Sequence, residues 1–89
     1  MTDGKEPKLL SVGYGNVVVR ARVVAVVSAQ SSASRRLRTE AENRNLLVDA
    51  TQGRRTRSIL VMDSGHVVMS AVNPETVSAR IESGEAEIA

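Results

Sequence analysis

Apolar positions along the chain come in short blocks, and the changes of period between blocks mark the elements. Lys8 to Val12 reads as a short strand, closed by Gly13-Tyr14-Gly15-Asn16, a turn with two glycines free to take positive φ. Val17-Val18-Val19 follows, then Arg20-Ala21-Arg22, then the run Val23-Val24-Ala25-Val26-Val27. That last run is nearly continuous, the pattern of a strand covered on both faces. Periodicity leaves Val17 to Arg22 open between a strand and a crossing loop. From Ala33 to Asn45 the period lengthens. Ala33, Leu37 and Ala41 recur at helical spacing and give a narrow apolar stripe on an otherwise polar helix. The Ser-rich stretch from Ser28 to Ser34 supplies candidate N-caps, and Asn43-Arg44-Asn45 a helix exit, because Asn tolerates the left-handed region.

Leu46 to Ala50 is a third strand, Thr51-Gln52-Gly53-Arg54-Arg55 turns the chain, and Thr56 to Met62 is a fourth. Asp63-Ser64-Gly65 is a hairpin turn, with His66 to Val72 as the returning strand. Asn73-Pro74-Glu75-Thr76 opens a second helix with an N-cap, a proline at the first helical position and an acid in the first turn. Val77 and Ile81 give that helix one apolar face, and Gly84 ends it. The order β(β)αβββα specifies an α+β domain, a small and mostly antiparallel sheet with two helices. The expected organisation is a disordered leader over 1–7, one domain over 8–83 and a flexible acidic tail over 84–89.

Composition changes this picture in one respect. Fourteen residues are Val, Phe and Trp are absent, and Tyr14 is the single aromatic. A chain of 89 residues with such a core buries little area per residue and needs reinforcement. With no cysteine and one histidine, disulfides and thiolate or histidine metal sites are excluded as the source. Self-association is the remaining route, so a homo-oligomer is expected. No run of apolar residues is long enough to span a membrane, and the N-terminal residues lack a signal-peptide pattern, which sets a cytoplasmic expectation.

Charge matters by its placement. The net charge is +2, but eleven basic residues against five acidic ones lie between Lys8 and Arg80, and ten of the twelve cations are Arg. The guanidinium fork suits bidentate contact with phosphate. The densest cluster is Gly53-Arg54-Arg55-Thr56-Arg57, three guanidiniums and a hydroxyl within five residues at a β-connection. Arg55 and Arg57 share one face if the strand begins there. Such a cluster fits the oxygens of a phosphate backbone. The plainer reading is a solvated turn whose arginines pair with Asp49, Asp63 or a neighbouring subunit.

Arg35, Arg36 and Arg38 open the first helix, where the dipole disfavours cations. Glu40 and Glu42 stand four residues after Arg36 and Arg38, which leaves Arg35 without a partner. A helix start carrying an unpaired Arg is an anion site, so Arg35 joins the candidate DNA contacts. Arg20 and Arg22 are weaker candidates for the same surface. With Tyr14 as the sole stacking platform, phosphate-led contact with duplex DNA fits better than single-stranded or RNA binding. Asp49 and Asp63 have no nucleophile or base beside them in the pattern, and His66 reads as a strand-end residue. The chain therefore reads as non-enzymatic, with no cofactor, metal or small-molecule substrate. A second class of function stays open: an oligomeric scaffold whose arginines hold subunits together.

Three segments carry a family resemblance. Val12-Gly13-Tyr14-Gly15-Asn16, then Leu47-Val48-Asp49-Ala50-Thr51 running into Gly53-Arg54-Arg55-Thr56-Arg57, then Ser70-Ala71-Val72 leading to Pro74-Glu75-Thr76-Val77 resemble the RemA-like extracellular-matrix regulator family. The similarity spans roughly residues 8–82. It implies a bacterial DNA-binding regulator with a fold related to LytTR-type domains, assembled as a ring-like homo-oligomer and associated with the nucleoid. By the same resemblance the paired arginines of the central motif, Arg54 and Arg55 here, contact DNA, and biofilm and matrix genes are the family's targets. A ring that repeats one Arg cluster would bind by multivalency.

Overall fold

The computed structural model describes residues 8–83, so the leader over 1–7, the tail over 84–89 and the helix stop at Gly84 lie outside the described residues. The elements run β1 (Leu9–Gly13), β2 (Asn16–Val19), a 3-10 turn (Arg20–Arg22), β3 (Val23–Ser28), α1 (Ser32–Asn43), β4 (Leu47–Asp49), β5 (Ser58–Met62), β6 (Val67–Ser70) and α2 (Pro74–Ser83). This is the α+β fold expected, with mostly antiparallel pairing, and Val17 to Val19 resolves as a strand. β1 and β2 form a hairpin of their own; the other four strands make a sheet in the order β3-β5-β6-β4.

Strand alternation divides the core in two. In β5, Ile59 and Leu60 are both fully buried but point to opposite faces. Leu60 packs with Leu10, Val12, Ala50, Val68 and Val77 beneath the hairpin and α2. Ile59 packs with Ala41 and Val67 beneath α1. The apolar stripe of α1 thus covers one face, and the hairpin with α2 covers the other. Arg80 ties α2 to the hairpin by donating to the Ser11 carbonyl at 3.1 Å, and the buried Ser70 hydroxyl donates to the Val12 carbonyl at 2.9 Å.

Three local expectations are corrected. The Val23–Val27 run is covered only in part: Val23 and Val26 pack under the hairpin and α2 and Val27 under α1, but β3 is an edge strand paired to β5 alone and Val24 is 66% exposed. Full burial on both faces falls to β5, at Ile59 and Leu60. Helix α1 begins one residue early, because the Ser31 side chain caps it by accepting from the Ala33 amide at 3.2 Å, and it ends before Asn45, which takes φ 61. The fourth strand begins at Ser58 rather than Thr56. One pairing lay beyond the sequence reading: β4 pairs β6 in parallel. The reason is topological: α1 crosses the sheet face and returns the chain to the end where β3 began, so β4 runs in the direction of β3.

That crossover sets the polarity of the molecule. β3, β4 and β6 finish, and β5 starts, at one end of the sheet. Both helix N-termini and the β4–β5 connection containing residues 50–57 therefore gather at that end. The β5–β6 hairpin turn lies at the other.

Candidate nucleic-acid interface

The β4–β5 connection is shaped by its first residues. Thr51 is buried, and its amide and hydroxyl both donate to Asp49 Oδ1, at 2.9 and 2.6 Å. Gln52 and Gly53 then take positive φ, 54 and 75, and the Arg54 amide closes the turn on the Thr51 carbonyl at 2.9 Å. Gly53 suits this reversal because two successive left-handed residues are costly with side chains on both. At the far end, the Arg57 amide donates to the Ser70 carbonyl at 2.8 Å, and its carbonyl accepts from the Ala29 amide at 3.0 Å. The backbone is pinned on both sides, while Arg54, Arg55 and Arg57 are exposed.

The three arginines do not form one patch. Arg54 turns toward the β1–β2 hairpin, with its guanidinium carbon 5.2 Å from the centre of the Tyr14 ring. Arg55, Thr56 and Arg57 line a polar cleft of about 160 Å³ with Gln30, Asn73 and Glu75. Thr56 is half-buried, its hydroxyl 4.0 Å from the Met69 sulfur. The strand starts later than Arg55, so strand alternation does not set the placement of Arg55 and Arg57; they meet because both line this cleft.

A second polar cleft, of about 380 Å³, is lined by Ser31, Ser32, Ser34, Arg35 and Arg38 at the start of α1. Ala29 and Gln30 border both clefts, so the linker from β3 to α1 separates Arg35 and Arg38 from Arg55 and Arg57. The two clusters singled out in the sequence are neighbours in space.

The carboxylates proposed as partners in the plainer reading are engaged elsewhere. Among the described residues ion pairing is confined to Arg22 and Asp63, at 3.1 Å. Asp49 is held by Thr51, and the Arg36–Glu40 and Arg38–Glu42 spacings form no ion pair. Arg20 and Arg22 do not join the basic end, since Arg20 donates to the Ile81 carbonyl at 3.0 Å and Arg22 to Asp63. Arg44 lies beside Leu37, Val61 and Gly65, toward the opposite end of the sheet. Among the described residues no cluster of His, Cys, Asp and Glu is suited to a metal ion, and no helix is long and apolar enough to cross a membrane.

A family model described as extracellular matrix regulatory protein A-like matches residues 9–81, from the start of β1 to within two residues of the end of α2. The chain belongs to the RemA-like family. Among its relatives, a protein of Dictyoglomus turgidum is 52% identical over 80 residues, which cover 90% of this chain and 94% of that one. A protein of Pelotomaculum thermopropionicum is 51% identical over 81 residues, 91% of this chain and 89% of the other. One from Leptospira biflexa is 48% identical over 80 residues, 90% and 85%. All three carry provisional names as regulatory proteins.

Sequence reading left Arg38 out of the candidate contacts by assigning it to Glu42. It also passed over Asn73 and Glu75, whose place beside Arg55 follows from the arrival of α2 at the same end of the sheet. Glu75, the acid expected to steady the first turn of α2, also trims the positive potential of the cleft.

Asp49 gives the loop a pH dependence. The Thr51 hydroxyl, and after it the Thr51 amide, hold the carboxyl below its usual 3.8. A group depressed in the folded state contributes stability fully above its unfolded value and loses it as pH falls through the folded one. Asp49→Ala is therefore expected to lower stability at neutral pH, with the difference from wild type vanishing under acid well below 3.8. Chemical denaturation of both proteins across that range checks it; a difference that persists in acid would assign the effect to packing.

Proposed function

We propose that this protein is an oligomeric DNA-binding regulator that grips the phosphate backbone of duplex DNA through the basic end of its sheet. One observation carries the reading. Arg54, Arg55 and Arg57 project from a pinned loop and Arg35 and Arg38 from the adjoining helix start, and among the described residues none is in an ion pair. Uncompensated cations held on rigid backbone, beside the positive ends of two helices, form a preorganised anion surface. With no carboxylate partner among the described residues, the N–H groups of these guanidiniums are free for phosphate oxygens.

The relatives' names support a regulatory outcome and the family's description links it to the extracellular matrix; matrix genes as targets and the nucleoid as the place follow from the duplex-DNA reading alone. Self-association is supported by a mainly apolar groove of about 510 Å³ between the hairpin and the sheet, with Leu9, Val17, Val19, Val48 and Met62 in its lining. Val17 and Val48 are exposed in the single chain. A second copy seated there would supply the area that a core without Phe or Trp lacks, and would repeat the basic end around a ring. Each phosphate contact is then reinforced by its tethered neighbours.

The test is binding to a mixed-sequence duplex across a salt series. Contact with roughly six to ten phosphates lowers affinity about 10³- to 10⁵-fold between ~50 and ~200 mM salt. Binding that stays flat over that range sinks the phosphate reading. The scaffold reading would then lead, with the arginines as subunit contacts.

A further inference from the structure

The hairpin tip beside the arginine loop is built against local preference. A two-residue hairpin turn with positive φ at both central positions favours Asn-Gly or Asp-Gly, because a small polar first residue tolerates the left-handed region. Here the first position is Tyr14, at φ 57, followed by Gly15 at φ 80. A bulky side chain held there carries backbone strain, which persists where the surroundings over-determine it.

Those surroundings are specific. Gly13 has φ 99 and sits so close to Val72 that an added Cβ would lie 3.0 Å from its Cγ2. The Asn16 side-chain amide donates to the Gly13 carbonyl at 3.2 Å and to the Ala50 carbonyl at 3.4 Å. The tip is thereby fixed to the first residue of the arginine loop. Tyr14 is 48% exposed, and the centre of its ring stands 5.2 Å from the Arg54 guanidinium carbon. An Asn at this position would satisfy the turn and leave Arg54 unsupported.

A ring partner leaves the N–H groups of a guanidinium without an acceptor when it meets the face, whereas a carboxylate partner would consume its N–H edge. Arg54 is restrained before any ligand arrives, so less rotamer freedom is lost on binding. Its in-plane donors stay available. We propose that Tyr14 is a positioning residue of the interface, holding Arg54 by its face so that the N–H edge meets a backbone phosphate. This rests on the duplex-DNA reading above. It adds the hairpin tip to a surface otherwise made of the loop and the start of α1, and gives the strained turn a purpose.

The test compares wild type, Tyr14→Phe, Tyr14→Asn, Arg54→Ala and the Tyr14→Asn/Arg54→Ala double variant for affinity toward one mixed-sequence duplex. Asn accepts the backbone conformation, so the fold is kept and only the ring is lost; thermal melts confirm this. Tyr14→Phe should bind as wild type and Tyr14→Asn roughly two- to fivefold more weakly per engaged protomer. The double variant should bind no more weakly than Arg54→Ala, because the ring acts through that arginine. Tyr14 is the only aromatic residue, so tyrosine emission reports on it alone. That emission should differ between wild type and Arg54→Ala without DNA, and change when duplex is added to wild type. Full affinity in Tyr14→Asn, or a loss additive with Arg54→Ala, overturns the assignment while duplex binding stands. Wild type that binds no duplex at low salt overturns the DNA reading and this assignment with it.

Discussion

Under the proposed reading as an oligomeric duplex binder, replacing Arg55 and Arg57 together with Ala is expected to weaken duplex binding at least roughly tenfold and to leave self-association intact. The two side chains share one cleft, and the backbone that carries them is fixed by bonds from Arg57 to Ser70 and Ala29. Neither is in an ion pair among the described residues, so truncation exposes no orphaned carboxylate and should hardly disturb the fold. A hydrogen bond to a charged group contributes about 1.5–3 kcal/mol, and the lower figure alone for two arginines passes a tenfold loss. The slope of log affinity against log salt should flatten by about 0.9 for each phosphate contact removed. Because phosphate contacts carry no sequence information, the loss should be uniform across duplexes of different sequence. Binding isotherms at several salt concentrations, with light scattering on both proteins, decide the matter. Unchanged affinity would remove the cleft from the interface, and a dissociated oligomer would reassign both arginines to a subunit contact.

Leu60→Ala should destabilise the fold by about 2–5 kcal/mol. Leu60 is fully buried in the central strand and meets Leu10, Val12, Ala50, Val68 and Val77 from the hairpin, the arginine loop's first residue, β6 and α2. No flexible aromatic is nearby to collapse into the space, since the chain has neither Phe nor Trp. For a domain of this size each kcal/mol lowers the melting temperature by about 4–8 °C, so a drop beyond roughly 8 °C is expected in a calorimetric scan. A smaller change would mean that the β1–β2 hairpin settles onto the sheet to fill the gap. Because Ala50 belongs to the same cluster, residual duplex binding by the folded fraction should weaken as well.

The element pattern was legible because it depends on local chemistry. Asp63-Ser64-Gly65 could only be a turn between two apolar runs, and Pro74 with Glu75 behind Asn73 could only begin a helix. The clustering of Arg54, Arg55 and Arg57 was likewise visible, since three cations in four residues lie together in any fold. The parallel pairing of β4 with β6 was not visible, because a strand's direction is set by the path of the crossover helix and not by its own side chains. The exposure of β3 was missed for a related reason. A continuous valine run reads the same in a central strand and in an edge strand, and only the sheet order separates them.

The candidate site divides along the same line. The sequence by itself determined which residues carry charge, where glycine frees the backbone and which segments are apolar, all properties of single residues and their near neighbours. Only the tertiary structure decided that Arg54 lies against Tyr14 while Arg55 and Arg57 open on Asn73 and Glu75. It also decided that Arg20 and Arg22 are spent on Ile81 and Asp63, whereas Arg35 and Arg38 are left to face the same end as the loop. A guanidinium's partner is fixed by groups 41 and 61 residues away in the chain, and no pattern of spacing records which distant carbonyl or carboxylate the sheet will bring within reach.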